Sequence, residues 1–83
     1  MRGSEFKAIR EKLDLTQDEL AEILCRSGKQ AISNIETDFR NAGKLSAVLM
    51  KMFIELPEKQ SLELRRHLKS FAESYDRAAK RKS

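Results

Sequence analysis

One short segment near the middle of the chain carries polar side chains whose spacing could place them on a single binding face. If residues 28–37 are helical, at about 100° per residue, the apolar side chains of Ala31, Ile32 and Ile35 share one arc. The opposite arc offers ammonium, amide and hydroxyl groups, on Lys29, Gln30, Ser33, Asn34 and Thr37. Such groups bind base edges and phosphates in the major groove of DNA. The ordinary alternative is a polar face that meets only solvent.

Capping motifs predict where this helix and the one before it begin. Thr16 with Glu19, and Ser27 with Gln30, both fit the S/T-x-x-E/Q pattern, in which each side chain bonds the other residue's backbone N–H. The two helices should therefore begin just after Thr16 and just after Ser27. The apolar stripe of the earlier helix is made of Leu20, Ile23 and Leu24, and the small Ala21 beside it should be where the two helices cross.

Three further helices complete the predicted fold, which is all-α. Apolar residues at helical spacing predict a first helix over residues 4–12, through Phe6, Ile9 and Leu13. A fourth helix is predicted over residues 44–53 from the positions Leu45, Val48, Leu49 and Met52, with Met50 and Met52 as core filler. Pro57 ends it. Residues 58–79 predict a long fifth helix, because good helix formers fill them without Gly or Pro.

An apolar stripe also runs along the fifth helix. Its members are spaced 4, 3, 4 and 3 residues apart, as in a coiled coil of about two heptads, at Leu64, Leu68, Phe71, Tyr75 and Ala78. The stripe either joins two copies of the chain as a homodimer or folds back over helices 1 and 4. A helix of about 30 Å is longer than four short helices can cover, which favours the dimer. Residues 57–79 are thus the predicted dimerisation element, followed by a basic tail at residues 80–83.

Composition and charge exclude several classes of protein. No apolar run approaches the 18 or so residues of a membrane helix, and the single cysteine cannot form an intramolecular disulfide. A cytoplasmic protein without membrane contact is therefore expected. The net charge of +4 favours a polyanionic partner. The opening Met-Arg-Gly-Ser resembles a vector leader, so residues 1–4 are expected to lie outside the domain.

Enzymatic chemistry finds little support in the sequence. His67 is the only histidine, and it has no Ser or Cys motif to activate. The chain also has no Cys pair, HExxH motif or Gly-rich phosphate loop. We therefore expect no catalytic residue, no metal and no cofactor. A redox-sensitive thiol is one possible role for Cys25 beside Arg26, although a small residue that fills a turn is the simpler interpretation.

From Phe6 to about Leu56 the chain resembles the lambda-repressor-like helix-turn-helix domains of the Cro and Xre type. The resemblance rests on motifs in order: an arginine in the first helix, then Leu-Thr-Gln at 15–17, Glu-Leu-Ala at 19–21, Ile-Ser-x-Ile-Glu at 32–36 and Arg-Asn at 40–41. It implies a compact DNA-binding domain over residues 5–56, in which helices 2 and 3 form the helix-turn-helix and helix 3 enters the major groove. The protein is therefore expected to be a sequence-specific transcriptional regulator that acts as a repressor. Its expected partner is double-stranded DNA that contains a near-palindromic operator.

The resemblance also implies roles for side chains around helix 3. Gln17 would donate to a phosphate and brace the first residues of helix 3, while Arg40 and Asn41 would hold the DNA backbone beyond it. Glu36 lies on the core side of the helical wheel, about 40° from Ile32, where a carboxylate needs a partner. In the family this acid pairs with an arginine of the first helix, and the residue at that place in this chain is Arg10. Base contacts are expected from Gln30, Ser33 and Asn34, since amides pair bidentately with adenine, and Lys29 reaches a guanine or a phosphate.

The chain departs from the family pattern in the turn. The family usually has a glycine and a small apolar residue there, whereas this chain has Cys-Arg-Ser-Gly at 25–28 and is one residue longer between Ala21 and Glu36. We expect this to shift the angle at which helix 3 enters the groove. Two alternatives stay open: a protein-interaction module that keeps the fold, and an antitoxin that represses its own operon with a toxin as partner.

Overall fold

Five α-helices make up the chain in a computed structural model, which describes the backbone of residues 1–82 and the side chains of residues 1–79. They are α1 (Gly3–Lys12), α2 (Gln17–Ile23), α3 (Lys29–Glu36), α4 (Lys44–Glu55) and α5 (Glu58–Lys82). The described backbone contains no strand, so the all-α prediction with a long last helix is confirmed. The basic tail predicted at residues 80–83 lies outside the described side chains.

The core is one cluster of apolar side chains from the first four helices. Phe6 of α1, Leu20 of α2 and Ile32 of α3 are fully buried, which confirms the stripes predicted for these helices. α3 packs on α1 and α2, α4 packs on α1, and α5 packs on α2 and α4. This arrangement holds α3 from one side only.

Local caps set the beginnings of α2 and α3. Thr16 Oγ1 accepts the backbone N–H of Glu19 at 3.1 Å, and Glu19 Oε1 accepts that of Thr16 at 3.0 Å, so the first predicted capping box is confirmed. The Thr16 N–H holds the pKa of the Glu19 carboxyl below its ordinary value.

The second predicted capping box is wrong. α3 begins at Lys29, and its N-cap is Gly28, which makes no side-chain capping bond. Gly28 has a φ of 154°, a conformation that favours glycine. Because the turn runs one residue further than predicted, Ser27 lies outside the cap position, and Gln30 is left for another partner.

Three of the four apolar residues from which α4 was predicted face solvent, whereas the fourth, Leu49, is partly buried and packs against the core. Leu45 is 73% exposed, and Val48 and Met52 are exposed as well, whereas the buried face carries Ser46, Met50 and Phe53. Met50 is therefore core filler and Met52 is not. The assignment of Met52 to the core is wrong because α4 is apolar on both faces, and periodicity alone cannot tell which of two apolar faces is buried.

The stripe predicted for α5 is divided between the core and solvent. Leu64 and Leu68 pack against the core, whereas Phe71 and Tyr75 are exposed. Two polar contacts fasten the packed part of the helix: Ser61 Oγ donates to the Phe53 carbonyl at 2.6 Å, and Lys69 Nζ pairs with Glu22 at 3.1 Å. The bond to Glu22 raises the pKa of Lys69. The first part of α5 thus folds back over α2 and α4, rather than over helices 1 and 4.

The first residues of the chain take part in the fold. Gly3 is buried, and its N–H donates to Asp38 Oδ1 at 2.7 Å. A Cβ at this position would lie 2.4 Å from the Glu36 carbonyl oxygen, so only glycine lets α1 approach the end of α3 this closely. α1 therefore begins at Gly3 rather than Ser4. Residues 1–4 were expected to lie outside the domain, but Gly3 and Ser4 are part of this helix.

Candidate nucleic-acid interface

α3 turns the polar arc identified from the sequence away from the core. Ile32 and Ile35 are buried on one side of the helix and fix it to the domain. On the other side Lys29, Gln30 and Thr37 are exposed, and Ser33 and Asn34 are partly exposed. The accessible face of this helix therefore consists of hydrogen-bonding side chains on a rigid backbone.

Two amide side chains on this face are bound to each other. Gln30 Nε2 donates to Asn34 Oδ1 at 3.0 Å, one helical turn along. Gln30 keeps its carbonyl oxygen and a second N–H, and Asn34 keeps its amide N–H groups and the second lone pair of Oδ1, so both retain the donor and acceptor capacity that a base edge requires. The bond holds the two side chains in place before any ligand arrives, which lowers the entropy cost of binding.

The loop after α3 carries the residues predicted to hold the DNA backbone. The backbone N–H of Arg40 donates to the Asn34 carbonyl at 3.0 Å, which folds the loop back onto the end of α3. The Arg40 guanidinium lies over the ring of Phe39, 5.7 Å from its centroid. Asn41 is exposed, but its Oδ1 accepts the N–H of Gly43 at 2.9 Å, so this oxygen shapes the loop.

Two residues that support this loop were missed by sequence reasoning. Arg26 Nη2 donates to the Ala42 carbonyl at 2.6 Å and to Ser46 Oγ at 2.9 Å, and thereby ties the turn before α3 to the loop after it. Phe39 is exposed beside Arg40. An aromatic residue in an otherwise polar loop was a signal for Phe39, whereas no local pattern marks Arg26, because its partners lie 16 and 20 residues away.

Glu36, the last residue of α3, joins three helices behind the polar face. Arg10 Nε donates to Glu36 Oε2 at 2.6 Å, and Gln17 Nε2 donates to Oε1 at 3.0 Å. Arg10 also donates to the Leu15 carbonyl at 2.9 Å. The side chains of Glu36 and Arg10 are only 4% and 12% exposed. The structure thus brings the two expected ion-pair partners together, and the buried carboxylate has several donors.

Gln17 does not brace α3 where the family resemblance placed the contact. Its amide binds Glu36 at the last residue of the helix instead of reaching the first ones. The buried carboxylate attracts the nearest donor, since leaving its oxygens without hydrogen bonds would be costly. The contact of Gln17 with a phosphate stays a prediction.

The turn between α2 and α3 ends α2 with a left-handed residue. Cys25 has a φ of 58°, and the next backbone N–H, of Arg26, donates to the Ala21 carbonyl at 2.8 Å. The Cys25 N–H bonds the Glu22 carbonyl, which completes a Schellman motif. Glycine is the usual residue at such a position, so Cys25 occupies a strained place, and the family's glycine is what the geometry favours.

Replacing Cys25 with glycine should therefore stabilise the domain. A left-handed conformation costs a non-glycine residue about 1 to 2 kcal/mol, of which glycine's greater freedom in the unfolded chain offsets part. We expect Cys25→Gly to raise the free energy of unfolding by about 0.5 to 1 kcal/mol in urea titration. The control Ala8→Gly, at an exposed position inside α1, should lower it by about 1 kcal/mol. A loss of stability in both variants would show that Cys25 is not strained.

The structure offers little to the other chemistries considered. His67 is exposed, with its ring centroid 6.5 Å from that of Phe71. Within the described residues no group of His, Cys, Asp and Glu could hold a metal ion. Nor is any helix of the described chain long and apolar enough to cross a membrane.

Comparison with known proteins identifies the class to which this fold and surface belong. A helix-turn-helix family model matches residues 6–49, which is more than half of the chain and includes most of α1, all of α2 and α3, and the first half of α4. The protein is a member of this family, the Cro/C1-type helix-turn-helix proteins, which are DNA-binding regulators. The lambda-repressor-like resemblance is thereby confirmed. No curated protein and no solved structure matches the chain.

Proposed function

We propose that this protein is a sequence-specific transcriptional regulator, acting as a repressor, that reads double-stranded DNA with α3 in the major groove. The observation that carries the proposal is the exposed face of α3, where the side chains of Gln30 and Asn34 are hydrogen-bonded to each other. The opposite face of this helix is packed into the core through Ile32 and Ile35. Gln30, Ser33 and Asn34 contact base edges, and Lys29 contacts a guanine or a phosphate.

Phosphate contacts on either side of the reading helix complete the proposed interface. Gln17 lies at the start of α2, and Arg40 and Asn41 lie in the loop that folds back onto the end of α3. Arg40 is exposed, and its guanidinium lies over the Phe39 ring, which leaves the N–H groups of this cation accessible to a phosphate oxygen.

The regulator acts as a cytoplasmic homodimer on a near-palindromic operator. A reading helix of 8 residues contacts only a few base pairs, and a two-fold dimer with half-sites about one DNA turn apart is the usual remedy. Residues 57–79 were expected to join the two copies through Leu64, Leu68, Phe71 and Tyr75. Since Leu64 and Leu68 pack against the core, only Phe71 and Tyr75 remain of that seam.

Alanine substitutions on α3 test the proposed reading face. After the preferred site has been selected from random duplex, Gln30→Ala and Asn34→Ala should each cost about 1 to 3 kcal/mol on that site and little on random DNA, because base contacts carry the sequence preference. The two losses should not add, since the side chains bind each other. Gln60→Ala, an exposed glutamine of α5, is the matched control and should change neither affinity. Unchanged site preference in the α3 variants would exclude this face as the reader.

A second candidate function is protein interaction, either as a module that keeps the fold or as an antitoxin with a toxin partner. The exposed Phe71 and Tyr75 on α5 favour it, because large apolar side chains at the surface often mark protein contacts. Nuclease treatment of a pull-down separates the candidates. Partners bridged by DNA are lost after treatment, whereas directly bound proteins are retained.

A further inference from the structure

α4 is apolar on both of its faces, although only one of them meets the domain. Ser46, Met50 and Phe53 are buried, and the described helix has only three charged residues, Lys44, Lys51 and Glu55. A helix that is hydrophobic all round is normally buried all round. The outer face of α4 is therefore the part of the surface that most lacks a cover.

The exposed apolar residues of α4 form a continuous stripe. Leu45, Val48 and Met52 fall within about 60° of one another at 100° per residue, on the side opposite Met50. All three are exposed. Beside them a groove of about 560 Å³ between α4 and the start of α1 includes the side chain of Met1, which is also exposed. The stripe thus belongs to a larger apolar surface.

Charges at the ends of α4 indicate what covers this surface. Lys44 and Glu55 are eleven residues apart, so they lie within about 20° of each other on the wheel and about 17 Å apart along the axis. Neither belongs to an ion pair within the described chain, whereas Lys51 already pairs with Glu5 at 3.3 Å. One edge of the stripe therefore has a free cation at its beginning and a free anion at its end.

We infer that the outer face of α4 binds the same face of a second copy of this chain, with the two α4 helices antiparallel. A two-fold axis across the stripe reverses one helix and brings the same edge of each helix together. Lys44 of each copy then faces Glu55 of the other, while Val48 and Met52 meet near the axis. A parallel pairing would instead place the two Lys44 side chains at one level on opposite edges of the contact, and the two Glu55 side chains likewise at the other end, so that no cation would meet an anion. The interface is thus complementary to itself in both apolar surface and charge.

This inference deepens the homodimer of the proposed function and assigns its contact to α4 rather than to the exposed end of α5. α5 exposes Leu62, Phe71 and Tyr75 among many charged residues, and Leu62 lies nine residues before Phe71. α4 instead presents Leu45, Val48 and Met52 as an unbroken stripe on a short helix whose other face is packed into the core. The inference is tested without DNA, so that its failure leaves the reading of DNA by α3 standing.

Sedimentation equilibrium of the full chain measures the dimer directly. We expect the wild type to be dimeric at tens of micromolar, and Val48→Glu to weaken the dimer by on the order of 100-fold, because each dimer would bury two carboxylates in an apolar contact. The paired control Phe71→Ser with Tyr75→Ser should dimerise like the wild type. Circular dichroism verifies that each variant folds, which is expected because the altered side chains are exposed.

Charge reversal tests the antiparallel arrangement. Lys44→Glu and Glu55→Lys should each weaken the dimer about tenfold, since each turns two attractions into repulsions, and the double variant should recover to within about threefold of the wild type. A monomeric wild type, a dimer that survives Val48→Glu, a dimer lost only in the α5 control, or a double variant weaker than both single ones would each overturn the inference. A folded Val48→Glu monomer that still binds a half-site duplex would support both proposals, and one that binds no DNA would count against the reading face alone.

Discussion

Glu36→Ala is expected to lower the free energy of unfolding by about 3 to 5 kcal/mol, the largest effect of any single substitution proposed for this protein. The Glu36 carboxylate accepts hydrogen bonds from Arg10 and Gln17 and is almost completely buried. Its removal leaves the Arg10 guanidinium partly buried without its anion. A domain of this size has a net stability of roughly 4 to 12 kcal/mol, so the variant should melt at least about 12 °C lower or fail to fold.

Thermal unfolding followed by circular dichroism measures this effect, with Glu11→Ala as the control. Glu11 lies on α1 one residue after Arg10, but it is exposed, and a surface carboxylate contributes less than about 1 kcal/mol. Gln17→Ala should have an intermediate effect of about 1 kcal/mol, because it removes one hydrogen bond to the carboxylate. Similar small shifts for Glu36 and Glu11 would contradict a structural role for the ion pair.

The affinity for DNA should fall steeply as salt is raised. Each phosphate that a cation neutralises contributes a slope of about −0.9 to log K against log salt, so a protein with 6 to 10 such contacts loses about 10³ to 10⁵ in affinity between 50 and 200 mM. Arg40→Ala should make the slope shallower by about 1 per protomer and weaken specific and random DNA by similar factors, because phosphates carry no sequence information.

Fluorescence anisotropy over a salt series tests this expectation. Arg66→Ala is the matched control, because Arg66 is an exposed arginine of α5 outside the proposed interface, and it should leave the slope unchanged. An affinity that does not vary between low and physiological salt would exclude DNA as the partner. A loss confined to the preferred site in Arg40→Ala would instead move this residue to the base-reading set.

Helix positions and family were accessible from the sequence because the signals that set them are local. Apolar residues at helical spacing located α1, α2 and α3, and the capping box at Thr16 fixed the start of α2. The ordered motifs from Phe6 onward sufficed for the family. On α3 the division into a buried and an accessible face followed directly from the wheel, since one face was clearly apolar and the other clearly polar.

Only the tertiary structure determined which face of a helix is buried when both faces are apolar, and which partner a side chain binds when several are within reach. α4 is apolar on both sides, and the position of α1 and α5 determines that Met50 is buried and Leu45 is not. The stripe of α5 was divided because Leu64 and Leu68 pack against the core, whereas one turn further along the partly buried residue that lines the groove beside α2 is Ala72 and Phe71 is exposed. The hydrogen bond between Gln17 and Glu36 likewise could not be predicted from local sequence, because the two residues are 19 positions apart. Periodicity records which side chains prefer burial, whereas the surface available to bury them exists only once the helices have packed together.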